Sequence, residues 1–176
     1  MNRSASNRAF GRAATAMHVA GRLRLFYDLF KLRIGLVIGM TALVGIAITP
    51  GPELAWWRTA ILGLAVVLAS AAAGAFNQYY ERDSDANMAR TRGRPFVKGT
   101  LRAGKGWLWL MATMTLISVV AATLATNALA ALYVFLGAFV YAVVYTVWLK
   151  RRSWLNIVVG GLAVTFSALS GAAAAS

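Results

Sequence analysis

The stretch ILGLAVVLASAAAGAF, residues 61–76, runs directly into NQYYERDSDANMARTRGRP, residues 77–95. The first part carries no charge at all, and the second contains three of the five acidic residues of the chain, Glu81, Asp83 and Asp85. A helix that is apolar on every face belongs inside a protein or inside a lipid bilayer. The junction therefore predicts a buried helix that carries a carboxylate cluster at one end.

The composition of the chain is that of a membrane protein. Of its 176 residues 60% are hydrophobic and only 13% charged, whereas a soluble domain carries about a quarter charged residues. Because a spanning helix needs about 20 residues, the longest apolar stretch has room for two helices, with a turn at Thr126–Asn127. A barrel would show short alternating strands instead. We therefore expect an all-α polytopic bundle of four complete transmembrane helices and a fifth at the chain end, within the stretches 34–49, 59–80, 106–149 and 153–176.

The positive charges predict how this bundle is oriented. All but one of the 18 Lys and Arg residues lie before the first helix, between the second and third, or after the fourth; the exception is Arg58. Positive residues of short loops stay on the cytoplasmic side. The amino terminus, the loop 81–105 and the cluster 150–152 are therefore predicted to be cytoplasmic. Topology and anionic lipid account for the net charge of +13, so we expect no nucleic-acid partner.

The ends of the chain and its small residues allow further predictions. Residues 1–28 are interpreted as a basic cytoplasmic tail and 29–176 as the membrane domain, although the acid-free, Arg-rich start would also suit a mitochondrial transit peptide. The absence of cysteine excludes disulfides and thiolate metal sites. Gly35, Gly39, Gly45 and the small-residue run 69–75 indicate close helix packing in lipid.

If the second helix continues through residue 85, Asn77, Glu81 and Asp85 share one face, and Asp83 points away from it. Oxygen ligands of these types suit Mg²⁺, which commonly binds one or two carboxylates together with substrate phosphates. Asn77 and Asp85 would lie roughly 12 Å apart along the axis. Two Mg²⁺ ions, or one ion beside a broken helix, would satisfy that separation.

Three arginines follow the acids at alternate positions, Arg90, Arg92 and Arg94. Pro95 favours an extended backbone at Arg94, in which case alternate arginines face one way. Guanidinium groups beside a carboxylate-bound metal make a receptor for a diphosphate. The alternative is that acids and arginines simply neutralise one another in a loop.

Two segments together resemble a known family. The pattern Asn77-x-x-x-Glu81-Arg82-Asp83-x-Asp85, continued by Met88 and Arg90-Thr-x-x-Arg94-Pro95, resembles the first aspartate-rich motif of the UbiA-type intramembrane prenyltransferases. It is nearest to the branch that farnesylates protohaem IX. The segment Tyr145–Gly161 resembles the end of the fourth helix and the start of the fifth. The resemblance covers roughly residues 26–165, with Lys31-Leu32-Arg33 standing where the family has Lys-Pro-Arg.

The resemblance implies a reaction and a set of roles. Farnesyl diphosphate would bind through Mg²⁺ held by Asn77, Glu81 and Asp85, with Asp83 as a weaker member of the catalytic set. The farnesyl group would pass to a vinyl group of haem B, giving haem O. Arg90 and Arg94 would bind the diphosphate or the haem propionates. Lys150 and Arg151 would serve the same anions or act only as topology determinants, and Tyr145 would orient a phosphate oxygen or be an interfacial aromatic residue.

The resemblance also implies a longer protein. The family has nine helices and a second polar motif on a later loop, so residues 29–176 are expected to be an incomplete domain that inserts in the membrane but does not make haem O alone. The expected location is the bacterial inner membrane, or the mitochondrial inner membrane as the alternative. A quinone-precursor acceptor and an inactive truncated product remain open. A transporter would place acidic residues at mid-helix, and no predicted helix centre here has one.

Overall fold

The computed structural model describes residues 21–150, 152 and 155–176, and over these residues the regular structure is entirely helical. The predicted anion-binding role of Arg151 concerns a residue outside these described ranges. The helices are α1 Gly21–Leu29, α2 Leu32–Ile48, α3 Trp56–Tyr80, α4 Arg82–Asp85, α5 Lys105–Ala125, α6 Ala128–Phe139 with a π-helical continuation Val140–Leu149, and α7 Asn156–Ala175.

The prediction of a polytopic helical bundle is confirmed. Four of the described helices are long and apolar enough to cross a membrane: α3, α5, α6 with its continuation, and α7. The first span differs from the prediction, because α2 has only 17 residues and reaches spanning length together with α1, from which it is bent by 51°. Residues 21–28, interpreted from the sequence as tail, thus belong to a helix.

Two polar side chains form hydrogen bonds with backbone groups at the ends of helices. The predicted turn lies at Thr126–Asn127, where Asn127 Oδ1 accepts the N–H of Ala130 and caps α6. At the end of α1, Gln78 Nε2 donates to the carbonyls of Asp28 and Leu29 at 2.9 and 2.8 Å. Because the last carbonyls of a helix have no partner of their own, this amide allows α1 to end inside the protein.

Small residues allow the helices to approach closely, as the sequence predicts. Helix α2 packs between α3 and α7, α3 also packs on α5, and α6 packs on α7. Gly35 and Gly39 are buried against Val67 of α3. The tightest contacts join α2 to α7, where a Cβ on Gly45 or Gly171 would overlap a carbonyl oxygen of the opposite helix. Large apolar side chains face outward around the bundle, as expected for a lipid-facing surface.

Candidate active site

The end of α3 carries the acidic cluster through a short break. Helix α3 stops at Tyr80, and α4 begins at Arg82, yet the N–H of Glu81 donates to Asn77 O and the N–H of Asp85 donates to Glu81 O. This helical spacing keeps Asn77, Glu81 and Asp85 on one face, and all three are buried. The side chain of Asp83 is 83% exposed. The predicted face is therefore present in the structure, and Asp83 lies off it.

The buried carboxylates are paired with cations from distant parts of the chain. Glu81 Oε2 accepts a hydrogen bond from Lys150 Nζ at 2.5 Å, and Arg94 donates to Asp85 Oδ2. The same Arg94 nitrogen lies 3.8 Å from Glu81 Oε2. Negative charge at the carboxyl end of a helix is unfavourable, and a buried unpaired carboxylate is costly, so these cations stabilise the cluster.

Asn77 links the acidic face to two residues that the sequence analysis did not assign to the site. Its Nδ2 donates to Glu81 Oε2 at 3.0 Å and to Thr146 Oγ1 at 3.2 Å. Its Oδ1 accepts from Lys31 Nζ at 3.0 Å, and Lys31 also donates to the hydroxyl of Tyr141 at 3.3 Å. Both N–H groups of the amide thus have partners and its oxygen has one, and the bond to Glu81 fixes the orientation of that carboxylate.

Lys31 reaches the site because the helix is interrupted between α1 and α2. The residue is left-handed, with φ 47° and ψ 42°, and is followed at once by α2. This conformation is uncommon for a residue with a Cβ and marks a constrained position. From the sequence it counted only as a topological charge. Its place in Lys31-Leu32-Arg33, the segment that stands where the family has Lys-Pro-Arg, is the one signal in the sequence from which a site role could have been predicted.

The π-helical segment Val140–Leu149 supplies the opposite wall of the site. The N–H of Lys150 donates to the backbone carbonyl of Tyr145, five residues earlier. The hydroxyl of Thr146 donates to the backbone carbonyl of Tyr141. The ring of Tyr145 stacks on that of Tyr141 with 5.3 Å between centroids, and Lys150 Nζ lies 5.7 Å from its centre. The ring of Tyr145 therefore lies next to the acidic cluster, with the ammonium group of Lys150 over its face.

The arginine segment differs from the prediction. Residues 89–98 form consecutive turns rather than an extended strand: Arg94 N–H donates to Thr91 O, and the N–H of Lys98 donates to Arg94 O. The hydroxyl of Thr91 donates to Asp85 O and holds the turn against the acidic face. Turns of this kind direct Arg94 inward and leave Arg90 and Arg92 exposed. The prediction of alternate arginines on one side of an extended chain is wrong, because local hydrogen bonds outweigh the preference imposed by Pro95.

An apolar cavity of about 150 Å³ begins at the polar cluster and extends into the bundle. Lys31 and Tyr141 lie at its polar end, and the rest is lined by α2, α3, α6 and α7, including Ile38, Val66 and Tyr133. A larger apolar groove between α3, α5 and α6 touches none of the polar residues described above. The first cavity is therefore the one that could hold an apolar chain joined to an anionic group at the cluster.

The chemistry of the acidic face fits a Mg²⁺ ion held jointly with a phosphate ligand. Among the described residues no three His, Cys, Asp or Glu side chains come together, so the face offers two carboxylates and one amide rather than a full protein cage. Mg²⁺ commonly uses one or two carboxylates plus phosphates and water. Within the described part of the chain, Glu81 Oε1 and Asp85 Oδ1 accept no hydrogen bond and are available as ligands.

Relatives of this chain agree with the sequence patterns. Residues 38–176 match the UbiA prenyltransferase family. Protoheme IX farnesyltransferase 2 of Paramagnetospirillum magneticum is 49% identical over 157 residues, which is 89% of this chain and 54% of that protein. Protoheme IX farnesyltransferase 1 of the same organism is 41% identical over 86% of this chain and 53% of its own length.

A protoheme IX farnesyltransferase of Xylella fastidiosa is 41% identical over 89% of this chain and 52% of its own length. This chain thus spans about half the length of the curated relatives it matches. No solved structure matches it. Because the family match covers most of the chain and the helical bundle carries the acidic face at the expected place, the chain belongs to the UbiA prenyltransferase family.

Proposed function

We propose that this chain carries the diphosphate site of an enzyme that transfers the farnesyl group of farnesyl diphosphate to a vinyl group of protohaem IX, giving haem O. The single observation that carries the proposal is the buried face Asn77–Glu81–Asp85, which Lys31 connects to an apolar cavity by lining that cavity and donating to Asn77. The names of the relatives, all protoheme IX farnesyltransferases, support haem as the acceptor. The bacterial relatives support a bacterial inner membrane.

Asn77, Glu81 and Asp85 would hold Mg²⁺, with Asp83 left outside the ligand set. Bound Mg²⁺ would neutralise the diphosphate and stabilise the charge that leaves with pyrophosphate. Asn77 orients Glu81 through the hydrogen bond between them. Arg94, Lys150 and Lys31 surround the same face and place positive charge where the diphosphate oxygens would lie.

In the reaction the bond between farnesyl C1 and the diphosphate oxygen breaks, and pyrophosphate leaves with the electron pair. The terminal carbon of the haem vinyl group then bonds to C1, and the resulting cation on the inner vinyl carbon takes up water. Loss of one proton from that water gives the hydroxyethylfarnesyl side chain of haem O. The apolar cavity would hold the farnesyl chain and exclude water from C1 until the carbon–carbon bond has formed.

Turnover can be tested in a chimera in which residues 1–176 replace the matching half of the 49% identical Paramagnetospirillum protein. Glu81→Ala and Asp85→Ala should each lower haem O formation by about a hundredfold or more, because each removes a ligand of the diphosphate-bound metal. Asp83→Ala, which changes an exposed carboxylate, should retain most of the activity. Haem O is measured by chromatography of extracted haems, and equal losses in the three variants would contradict the assignment.

A phenolic quinone precursor is the second candidate acceptor. The same chimera separates the two, since an enzyme specific for a phenol would consume farnesyl diphosphate in the presence of that phenol and not with haem B. We expect consumption with haem B alone.

A further inference from the structure

A second cavity, lined by polar residues, lies at the end of the bundle that carries the acidic face, and of its charged lining residues the proposed reaction uses only Lys31 and Arg94. It has a volume of about 420 Å³ and lies between α1, the end of α3 and the turns that follow α4. We call it the cationic basin and define it by the positive residues that line it, Arg24, Lys31, Arg90, Arg94 and Lys98.

The cationic basin carries far more positive than negative charge. Asp28 is the one carboxylate that lines it within the described part of the chain. The side chains of Arg24, Arg90 and Lys98 make no hydrogen bond or ion pair with other described residues. Like charges gathered in a concave surface repel one another and raise the local concentration of anions. The basin is therefore arranged to receive an anionic ligand rather than to stabilise the fold.

The basin differs chemically from the acidic face. Neither Glu81 nor Asp85 lines it, so an anion bound there would contact cations directly and would need no metal. Lysine and arginine bind carboxylates through short charge-assisted hydrogen bonds. This donor set suits carboxylates and phosphates alike, and a carboxylate ligand follows because the proposed function already gives the diphosphate its own site at Glu81 and Asp85.

The basin is joined to the apolar cavity by Lys31, which lines both. A ligand with carboxylates along one edge and an apolar body could therefore place the carboxylates in the basin and the body toward the cavity. Protohaem has this form, because its two propionates lie on the edge opposite its two vinyl groups. Placed in this way, a vinyl group would face the region where farnesyl C1 is expected.

We propose that the cationic basin binds the two propionates of the haem acceptor and so orients its vinyl edge toward the prenyl chain. This proposal rests on the proposed function, since it takes haem as the acceptor. It assigns binding roles to Arg24 and Lys98, neither of which belongs to the acidic face or its ion pairs.

The test compares haem B with its dimethyl ester, in which both propionates are neutral. The 176-residue chain is placed in lipid nanodiscs and titrated with each probe by absorbance. The test variant is Arg24→Ala with Lys98→Ala, and the control is Arg102→Ala with Lys105→Ala, which removes the same two charge types from exposed positions outside the basin.

We expect the affinity of the unmodified chain and of the control for haem B to exceed their affinity for the ester by about tenfold or more, since two charge-assisted contacts are lost in the ester. The Arg24→Ala, Lys98→Ala variant should lose this preference through weaker binding of haem B, with ester affinity unchanged. A variant that keeps the full preference would overturn the basin as the propionate site while leaving haem as acceptor.

Failure of the proposed function gives a different result. If the unmodified chain binds neither probe, haem is not its ligand, and pyrophosphate without Mg²⁺ is then titrated into the same variants. Weaker pyrophosphate binding in the basin variant would reassign the basin to diphosphate and overturn the propionate proposal. Equal binding of both probes by the unmodified chain would overturn it as well.

Discussion

At the scale of single residues, the site is a set of buried acids balanced by cations that come from three other segments. Glu81 is paired with Lys150, Asp85 with Arg94, and Asn77 with Lys31. Two carboxylates thus face three cations, and this leaves a positive excess beside the acidic face. Such an excess favours an anionic ligand, since a neutral cluster would gain less from binding one.

Thr146 is the buried residue whose role in this network is easiest to isolate. It accepts from Asn77 Nδ2 and donates to the carbonyl of Tyr141. Thr146→Val keeps the shape and removes both hydrogen bonds, which should cost about 1–2 kcal/mol and lower the unfolding midpoint by about 2–6 °C. The midpoint is measured by thermal unfolding in detergent.

Thr123→Val is the matched control for that measurement. Its hydroxyl also bonds to its own helix, at Val119 O, but the side chain is exposed. The midpoint of this variant should change little, because no buried partner is left without a hydrogen bond. Equal shifts in the two variants would mean that Asn77 does not depend on Thr146.

How much of the site could be predicted follows from the distance over which each contact acts. The shared face of Asn77, Glu81 and Asp85 depends on helical periodicity alone, and it was predicted correctly. Lys31 and Thr146 were missed, because they meet Asn77 across 46 and 69 residues and only the packing of three helices brings them together. The turns around Arg94 were mispredicted, since the bond from Thr91 to Asp85 is set by the local fold.

At the scale of elements, the backbone geometry of α6 and the contact between α2 and α7 decide whether the site forms. The π-helical segment Val140–Leu149 changes the register of the last turns of α6, and Thr146 and Lys150 then face α3. Such insertions in helices often occur at functional sites. The sequence predicted the length and apolarity of this helix, but the π geometry has no signature in residue type.

Two of the three glycines of helix α7 should respond oppositely to substitution by alanine. A Cβ at Gly171 would overlap the carbonyl of Ala42, whereas a Cβ at Gly161 meets nothing within 4 Å. Gly161→Ala should be neutral or raise stability by up to about 1 kcal/mol through helix propensity. Gly171→Ala should lower the unfolding midpoint by several degrees, because the added Cβ forces α2 and α7 apart. We expect this to lower the free energy of unfolding by roughly 1–3 kcal/mol.

Thermal unfolding of the two variants in the same detergent provides the comparison. If Gly171→Ala proved as stable as Gly161→Ala, the close approach of α2 and α7 would not exist in the membrane protein. The prediction that small residues pack these helices would then lack its strongest example.

At the scale of the whole molecule, the helical bundle separates a loop with many positive charges from an opposite end with few. The chain contains no cysteine, so single cysteines can be introduced without background. A cysteine at Asn87, which is exposed after α4, should react only with reagents that reach the cytoplasm. One at Glu53, exposed before α3, should react with impermeant reagents added from outside. Labelling of residue 87 from outside would show that the orientation is opposite to the predicted one. The acidic face would then not be open to diphosphate from the cytoplasm.

The central claim is that Glu81 and Asp85, and not Asp83, hold Mg²⁺ with the diphosphate. The most direct test is calorimetric titration of farnesyl diphosphate into the chain in nanodiscs, with and without Mg²⁺, for Glu81→Gln, Asp85→Asn and Asp83→Asn. We predict that Mg²⁺ strengthens binding to the unmodified chain and to Asp83→Asn by about tenfold or more, and that the two buried variants lose this increase. Loss of the Mg²⁺ effect to the same extent in all three variants, or in none of them, would contradict the account.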